Sequence, residues 1–147
     1  TILSSGISTE EALRAIPALK EHGVSVQHLH ISTLKPFTDP QVIESLKSSK
    51  YGVITMENHS VIGGLGSAVA DLIAEHGIGK KLIKIGLKDT YAHGASQKYL
   101  LHKYGMSARN LIEATEKLMD KKLQISEEEL SQTRVIDVHS TAKAEAL

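Results

Sequence analysis

Apolar and polar residues along this chain alternate between two spacings, and the alternation predicts strands and helices in turn. Short apolar runs bounded by Gly, Pro or Ser are typical of strands, whereas apolar residues three and four positions apart are typical of helices. The predicted strands are a run from Ile2 that stops at Gly6, and the runs Val24–Leu34, Tyr51–Met56 and Lys81–Ile85. The predicted helices are one from Ser8 that stops before Gly23, one over Val42–Leu46, and three over Ser67–Glu75, Ser96–Tyr104 and Ser107–Lys121.

The regular order of strand, helix and strand predicts an α/β fold in which helices cover both faces of a mainly parallel sheet. We therefore expect a three-layer α/β/α Rossmann-like sandwich, with the four strands in the order 2-1-3-4. Pro17 lies inside the first helical pattern, and we expect this helix to kink or to end early. Thr38 or Asp39 is expected to cap the second helix.

The folded domain is predicted to span residues 1–122, followed by a polar C-terminal extension over residues 123–147 that is partly helical or disordered. In this extension, Ser126 and Glu129 have the spacing of a capping box, which predicts a short helix. Residues 140–147 have few apolar side chains to bury and are expected to fray. The first predicted strand has no Met before it, and we interpret the chain as a piece of a longer polypeptide.

The composition excludes several classes of function. The chain has 147 residues, with 17 Lys and Arg against 17 Asp and Glu, so it lacks the charge excess of a protein that binds nucleic acid or anionic membranes. It contains no Cys, which excludes disulfides, thiolate metal sites and a Cys nucleophile. Its apolar runs are too short to span a membrane. We therefore expect a cytoplasmic globular domain.

A first loop with candidate chemistry follows the third predicted strand, where parallel sheets bind their ligands. Glu57 and His59 are spaced for an acid and a base. Beyond them, small residues open a helix whose N-terminal amides are suited to an anion or to a neighbouring domain; they are Gly63, Gly64, Gly66 and Ser67. The alternative is that these glycines only pack the helix against the sheet, and that Glu57 and His59 hydrogen-bond the loop or a neighbouring domain.

A second loop contains Asp89 and His93, which are candidates for a catalytic, metal or interface role. No pair of His has His-x-x-x-His spacing, and His28 with His30 on one strand face is a weak metal signal, so we predict no metal site. The glycine run departs from the dinucleotide fingerprint and from the P-loop, and no Gly-x-Ser-x-Gly elbow is present. The residues therefore predict no catalytic site within this chain.

An ordered set of motifs resembles a known family over about residues 1–120. The chain is similar to the C-terminal domain of transketolase and its thiamine-diphosphate relatives, the deoxyxylulose-phosphate synthases and the β chains of 2-oxo-acid dehydrogenases. The motifs that carry this resemblance are Ser5-Gly6 with Glu11-Ala12-Leu13, Leu34-Lys35-Pro36-Phe37 with Asp39, Glu57-Asn58-His59 with Gly63-Gly64-Leu65-Gly66-Ser67-Ala68, Ile85-Gly86-Leu87 with Asp89 and His93-Gly94, and Gly105-Met106-Ser107 with Leu111-Ile112.

This resemblance implies a division of labour within a larger enzyme. In the family, the N-terminal domain holds the diphosphate and Mg²⁺ of thiamine diphosphate, and the middle domain binds the aminopyrimidine and supplies the activating carboxylate. The C-terminal domain supplies scaffold and dimer contacts while a two-carbon ketol unit moves between sugar phosphates. The resemblance therefore implies that this chain holds no catalytic or cofactor-binding residue and is inactive alone.

The resemblance also implies the partners and the missing parts of the fold. Expected partners are the thiamine-diphosphate-binding domains of the same enzyme, or the other half-chain of a split bacterial-type transketolase, with a homodimer as the assembly. The family sheet has five strands and its first strand is antiparallel, so we expect an edge strand to be missing upstream, which leaves an edge able to self-associate. Two alternatives stay open: a partner-docking domain of a 2-oxo-acid dehydrogenase β chain, and a free-standing nucleotide-binding domain that uses Gly63 to Gly66.

Overall fold

A computed structural model describes residues 1–132, and they form a four-stranded parallel sheet with helices on both faces. The strands are β1 (Ile2–Ser4), β2 (His28–His30), β3 (Val53–Ser60) and β4 (Leu82–Leu87). The helices are α1 (Ser8–Glu21), α2 (Pro40–Ser48), α3 (Leu65–Glu75), α4 (Gln97–Lys103), α5 (Ala108–Met119) and α6 (Glu127–Gln132). No helix in this part of the chain is long and apolar enough to cross a membrane. The fraying expected for residues 140–147 lies outside the described residues.

The strand order is β2-β1-β3-β4, which confirms the expected order and the α/β class. All pairs are parallel, and Ile2 is opposite both His28 and Ile54. The order reverses between β1 and β3, so the chain leaves these two neighbouring strands toward opposite faces of the sheet. In folds of this kind the crevice at the reversal point lies beyond the carboxyl ends of the two strands.

Alternation along the strands divides the core into two layers. Residues such as Ile2, Ile54 and Met56 point toward α1 and α5, and they belong to the larger apolar cluster. Their neighbours Leu3 and Val53 point the other way, into a smaller cluster beneath α2 and α3. This two-residue period is what places each polar side chain of β3 on a known face of the sheet.

The structure corrects three of the predicted elements. The second strand covers only His28–His30 instead of Val24–Leu34, because β1 offers it only three residues to pair with before the chain turns at Gly6. The third strand continues past Met56 to Ser60 and pairs with β4 through a register shift.

The third correction concerns Pro17, which does not end α1. The helix runs from Ser8 to Glu21 with Pro17 inside it. A proline at this position removes the amide that would bond the carbonyl of Leu13. Leu13 is 37% exposed and Pro17 is also on the outer face, so water is able to satisfy that carbonyl. The expected cap of α2 is confirmed, because the Gln41 amide donates to Asp39 Oδ1 at 2.9 Å.

The C-terminal part of the described chain is attached to the larger core. Leu123, Ile125 and Leu130 are buried in the cluster formed by α1 and α5. The capping box of α6 is confirmed by the Glu129 amide, which donates to Ser126 Oγ at 3.2 Å. Residues 123–132 of the predicted extension therefore pack on the domain, and α6 is its helical part.

Glu129 gives α6 a pH-dependent contact. A hydrogen bond with His22 at 2.9 Å and two hydrogen bonds with Ser126 lower the pKa of Glu129 from 4.5 to about 2. A carboxyl group whose pKa is lower in the folded state stabilises that state above its unfolded pKa, and the contribution disappears as the pH falls through the folded pKa. We expect wild type to melt above Glu129→Gln at pH 6, and the gap in Tm to narrow between about pH 4.5 and about pH 2. A gap that stays constant or widens on acidification would contradict this assignment.

Candidate functional site

The first candidate loop begins inside β3. The alternation of side chains along this strand determines the direction in which the Glu57 carboxylate points. Val53, Thr55 and Glu57 share one face of β3, and that face carries α3. Glu57 is 0% exposed, so its carboxylate lies entirely inside the protein. A charge in that position needs hydrogen-bond partners, because burying it without them is expensive.

Glu57 finds these partners at the N-terminus of α3. Oε2 accepts from the Leu65 amide at 2.7 Å, and Oε1 accepts from the Gly66 amide at 2.9 Å. Glu57 thus supplies, from the preceding strand, the cap that α3 lacks at its own N-cap residue Gly64. The negative carboxylate also faces the positive end of the helix dipole, which favours this arrangement. Glu57 is an internal cap of α3.

The glycines of the loop allow this close approach. A Cβ on Gly64 would lie 2.1 Å from Glu57 Oε2, and one on Gly66 would lie 2.8 Å from Thr55 Oγ1. Gly63 is different, because it has φ of +75° and nothing within 4 Å of its Cβ position. Gly64 and Gly66 are therefore needed for space, and Gly63 for its backbone conformation.

His59 lies at the rim of the same loop. Its Nδ1 is 3.2 Å from Glu57 Oε2 and 3.1 Å from the carbonyl oxygen of Ser60, and its side chain is 46% exposed. Ligands have access to His59, whereas both oxygens of Glu57 already accept backbone amides. The geometry therefore favours the packing interpretation of Glu57 over that of a general acid or base.

The loop also uses its own groups to satisfy further polar atoms. The Gly63 amide donates to Ser67 Oγ at 3.0 Å, and that hydroxyl donates to the carbonyl of Val61 at 3.1 Å. An anion at the start of α3 would therefore have to displace Glu57 from the Leu65 and Gly66 amides. Of the two predicted roles of this loop, anion binding and contact with another domain, we retain only the second.

The second candidate loop, residues 88–96, lies beside the first. The Val61 amide donates to the carbonyl of Leu87 at 3.0 Å, which joins the two loops where they begin. Asp89 has φ of +42°, and the ring of His93 lies 6.3 Å from that of Tyr99. Within residues 1–132, neither Asp89 nor His93 makes a hydrogen bond or an ion pair with Glu57 or His59. The structure therefore brings the loops together without joining their polar side chains.

Exposed apolar side chains mark this edge of the sheet. Ile62 is 65% exposed and Tyr91 is completely exposed, one on each of the two loops. Clusters of large exposed apolar side chains are typical of surfaces that contact another protein. We call the part of the two loops that carries Ile62 and Tyr91 the loop surface.

Two arrangements were missed from the sequence. Glu11, which is buried, accepts the Ala108 amide at 2.8 Å and so caps α5 from α1, while its other oxygen contacts Arg14 at 3.0 Å. Glu11 and Ala108 are 97 residues apart, so no local sequence pattern indicates this contact. The second arrangement joins His28 to Ser4 Oγ at 2.8 Å, and burial, together with the neighbouring His30, lowers the pKa of His28. The two-residue period of the strands could have indicated this contact, because it places Ser4 and His28 on the same face of the sheet.

The donor set of the described residues offers no centre for a metal. Within residues 1–132, no group of three His, Asp or Glu side chains converges, and the carboxylates of Glu11 and Glu57 are both used as helix caps. The resemblance implies that thiamine diphosphate and Mg²⁺ are held by other domains of the enzyme. We therefore derive no step of a reaction through a cofactor on this chain.

Comparisons with known proteins agree with the fold. The model of the family described as the transketolase C-terminal domain matches residues 1–111. A transketolase C-terminal section from Methanocaldococcus jannaschii is 41% identical over 111 residues, which are 76% of this chain and 34% of that protein. A 6-deoxy-6-sulfo-D-fructose transketolase subunit from a Clostridium species is 35% identical over 83% of this chain and 37% of its own length.

A solved structure shows the same architecture. A split-gene transketolase, described as an inactive β4 tetramer, aligns with a TM-score of 0.73 and 36% identity over 82% of this chain and 39% of its own. The chain thus spans about a third of the length of the curated relatives, at 34% and 37% of those two proteins.

Proposed function

Because this chain belongs to the transketolase C-terminal domain family, we propose that it gives scaffold and dimer contacts to a split transketolase-like enzyme that transfers a two-carbon ketol unit between sugar phosphates. The observation that carries the proposal is the family match over residues 1–111, which spans the sheet and five of the six helices in whole or in part. The cytoplasmic location expected from the sequence is part of this proposal.

The proposed role is structural within this chain and catalytic only in the assembly. Thiamine diphosphate and Mg²⁺ would be held by other domains, as in the enzymes that the sequence resembles. The use of Glu57 as a helix cap supports this division, since the best-placed carboxylate of the candidate site is removed from substrate. A split-gene transketolase whose β chains form an inactive tetramer is a precedent for a half-enzyme that assembles without activity.

The loop surface is the proposed contact with the thiamine-diphosphate-binding part of the enzyme. Ile62 and Tyr91 are exposed at the carboxyl edge of the sheet, and removing their apolar surface from water would favour a contact there. Asp89 and His93 belong to this proposed contact, together with His59 at its rim.

Activity measurements test the proposed role. With thiamine diphosphate, Mg²⁺ and a ketose-phosphate donor with an aldose-phosphate acceptor, the isolated chain is expected to show no ketol transfer. The isolated chain is expected to bind the thiamine-diphosphate-binding subunit of the same enzyme when that subunit includes its pyrimidine-binding domain. Turnover by the isolated chain would reject the proposal, and selective binding to a lipoyl-carrying subunit would favour a dehydrogenase β chain.

A matched pair of variants tests the contact. Tyr91→Ser is expected to weaken binding to the partner about tenfold or more, because a fully exposed aromatic side chain would be buried on docking. Tyr51→Ser is the control, since Tyr51 is 49% exposed just before β3, at the opposite edge of the sheet. Calorimetric titration measures both affinities. Equal losses for the two variants would remove the loop surface from the proposal.

A further inference from the structure

We propose that His59 is a hydrogen-bond acceptor at the rim of the loop surface, and that its Nε2 receives a Lys or Arg side chain of the thiamine-diphosphate-binding subunit. The choice of partner rests on the proposed function. The state of the imidazole does not, because contacts within this chain determine it. Three features carry the proposal: the fixed position of the ring, the hydrogen that Nδ1 carries, and the buried negative charge beside it.

Contacts on two sides fix the position of the His59 ring. Nδ1 lies 3.1 Å from the carbonyl oxygen of Ser60 and 3.2 Å from Glu57 Oε2. The ring also covers Gly64, because a Cβ on that residue would lie 2.5 Å from His59 Cε1. Turning the ring over would replace Nδ1 by a carbon atom and lose both polar contacts. The side chain is 46% exposed, so the exposed edge of the ring is the one that carries Nε2 and Cδ2.

The neighbours of Nδ1 determine where the neutral imidazole of His59 carries its hydrogen. The carbonyl oxygen of Ser60 only accepts hydrogen bonds, and so does the carboxylate of Glu57. Nδ1 therefore donates, since a lone pair there would face two electron-rich oxygens. A neutral imidazole has one N–H group, so Nε2 carries a lone pair. Nε2 makes no hydrogen bond to any residue between 1 and 132, which leaves this acceptor available to a partner.

The buried carboxylate beside the ring favours a cation as the donor. Glu57 is 0% exposed, and His59 is its only ion-pair partner among residues 1–132. Lys84 on β4 contacts Ser67 Oγ at 3.5 Å instead, and the first turn of α3 has no charged side chain. An Arg or Lys that donates to Nε2 would bring its positive charge near that carboxylate, with the polarised imidazole between the two charges.

A carboxylate or phosphate of the partner is the competing occupant. It would require a protonated His59, which has an N–H group on each ring nitrogen. The two occupants differ in the sign of their pH dependence, because protonation removes the acceptor that a cation needs and creates the donor that an anion needs. Asp89 and His93, on the neighbouring loop, form no ion pair with His59 in the described part of the chain, so the sign reports on His59 itself.

The position of the hydrogen is measured on the isolated chain. Long-range ¹H–¹⁵N correlation spectra at about pH 8.5, where histidine side chains are ordinarily neutral, distinguish the two tautomers of each imidazole. We expect the Nδ1–H tautomer for His59. His76 is the reference, because its exposed side chain makes no hydrogen bond within residues 1–132 and is expected to show the tautomer mixture of a free histidine. A His59 spectrum that matches that of His76 would overturn the proposal, whatever the partner.

Calorimetric titration with the thiamine-diphosphate-binding subunit at several pH values tests the occupant. His59→Asn retains an N–H donor for the Ser60 carbonyl but lacks Nε2, so it is expected to melt with the wild-type protein and to bind about tenfold more weakly near neutral pH. His76→Asn is the matched control and is expected to leave the affinity unchanged. The ratio of the wild-type affinity to that of His59→Asn is expected to rise between about pH 5.5 and about pH 8, as Nε2 becomes free to accept.

Three results of this titration would overturn the proposal. A ratio that falls as the pH rises would assign Nε2 to a carboxylate or phosphate of the partner. A ratio that stays near one at every pH would remove His59 from the contact. Failure of the wild-type chain to bind the subunit at any pH would reject the proposed function together with the occupant named here, and the tautomer measurement on the isolated chain separates that failure from an error in the state of His59.

Discussion

Glu57→Ala is expected to lower the free energy of unfolding by about 3 kcal/mol or more, the largest effect of any change to a single polar side chain described above. The substitution leaves the Leu65 and Gly66 amides without an acceptor in a buried place, and each such group costs about 1–3 kcal/mol. It also removes a negative charge from the start of α3 and leaves a cavity.

Urea unfolding followed by circular dichroism measures this effect. Glu44→Ala is the control, because Glu44 is exposed on α2 and its loss is expected to change stability by less than about 0.5 kcal/mol. Glu57→Gln is expected to lose less than Glu57→Ala, since one amide oxygen still accepts. Similar losses for Glu57→Ala and Glu44→Ala would show that the carboxylate is not the cap of α3.

Gly64→Ala is expected to destabilise the protein by about 3 kcal/mol, near the upper end of the usual range for overpacking. Its φ of −100° is available to any residue, so backbone strain is not the cause. The added methyl group would lie 2.1 Å from Glu57 Oε2 and 2.8 Å from the carbonyl oxygen of Ser60. Neither atom is able to move freely, because one caps α3 and the other belongs to the backbone.

Variants of two other glycines distinguish the effect of limited space from the effect of backbone conformation. Gly63→Ala is expected to cost about 1 kcal/mol, since its φ of +75° strains an alanine while its surroundings are open. Gly94→Ala meets nothing within 4 Å and has no positive φ, so it is expected to be neutral. Thermal melts of the three variants measure the order. A Gly64 variant as stable as the Gly94 variant would mean that α3 shifts away from the sheet at little cost.

The fold was accessible from the sequence because the strands and helices of the core have different apolar patterns. The apolar run in β3 is continuous and buried on both faces, the buried residues of α1 recur at helical spacing, and the order of the elements limits the topology to few arrangements. The length of β2 was not accessible, because it depends on how far β1 extends beside it. The β-strand propensity of the residues favoured a strand that covers Val24–Leu34. Pairing with β1 restricts the strand to His28–His30.

The candidate site was accessible only in part, for a related reason. The parity of Glu57 with Val53 and Thr55 already directs its carboxylate toward the helix that follows, so the cap is visible in the spacing. Nothing local links Glu11 to Ala108. This contact exists only after α1 and α5 have docked, so no spacing along the sequence predicts it.

The two internal caps, Glu57 and Glu11, differ in the length of chain that each must close. Glu57 closes loops of 8 and 9 residues, and Glu11 reaches its amide across 97 residues. Loop-closure entropy grows with the logarithm of length, which makes the longer closure about 2 kcal/mol more costly. We therefore expect the Glu57 cap to form before the Glu11 cap, which requires α1 and α5 to meet. On that order, the Glu11 cap is expected to slow unfolding and to leave the rate of folding nearly unchanged.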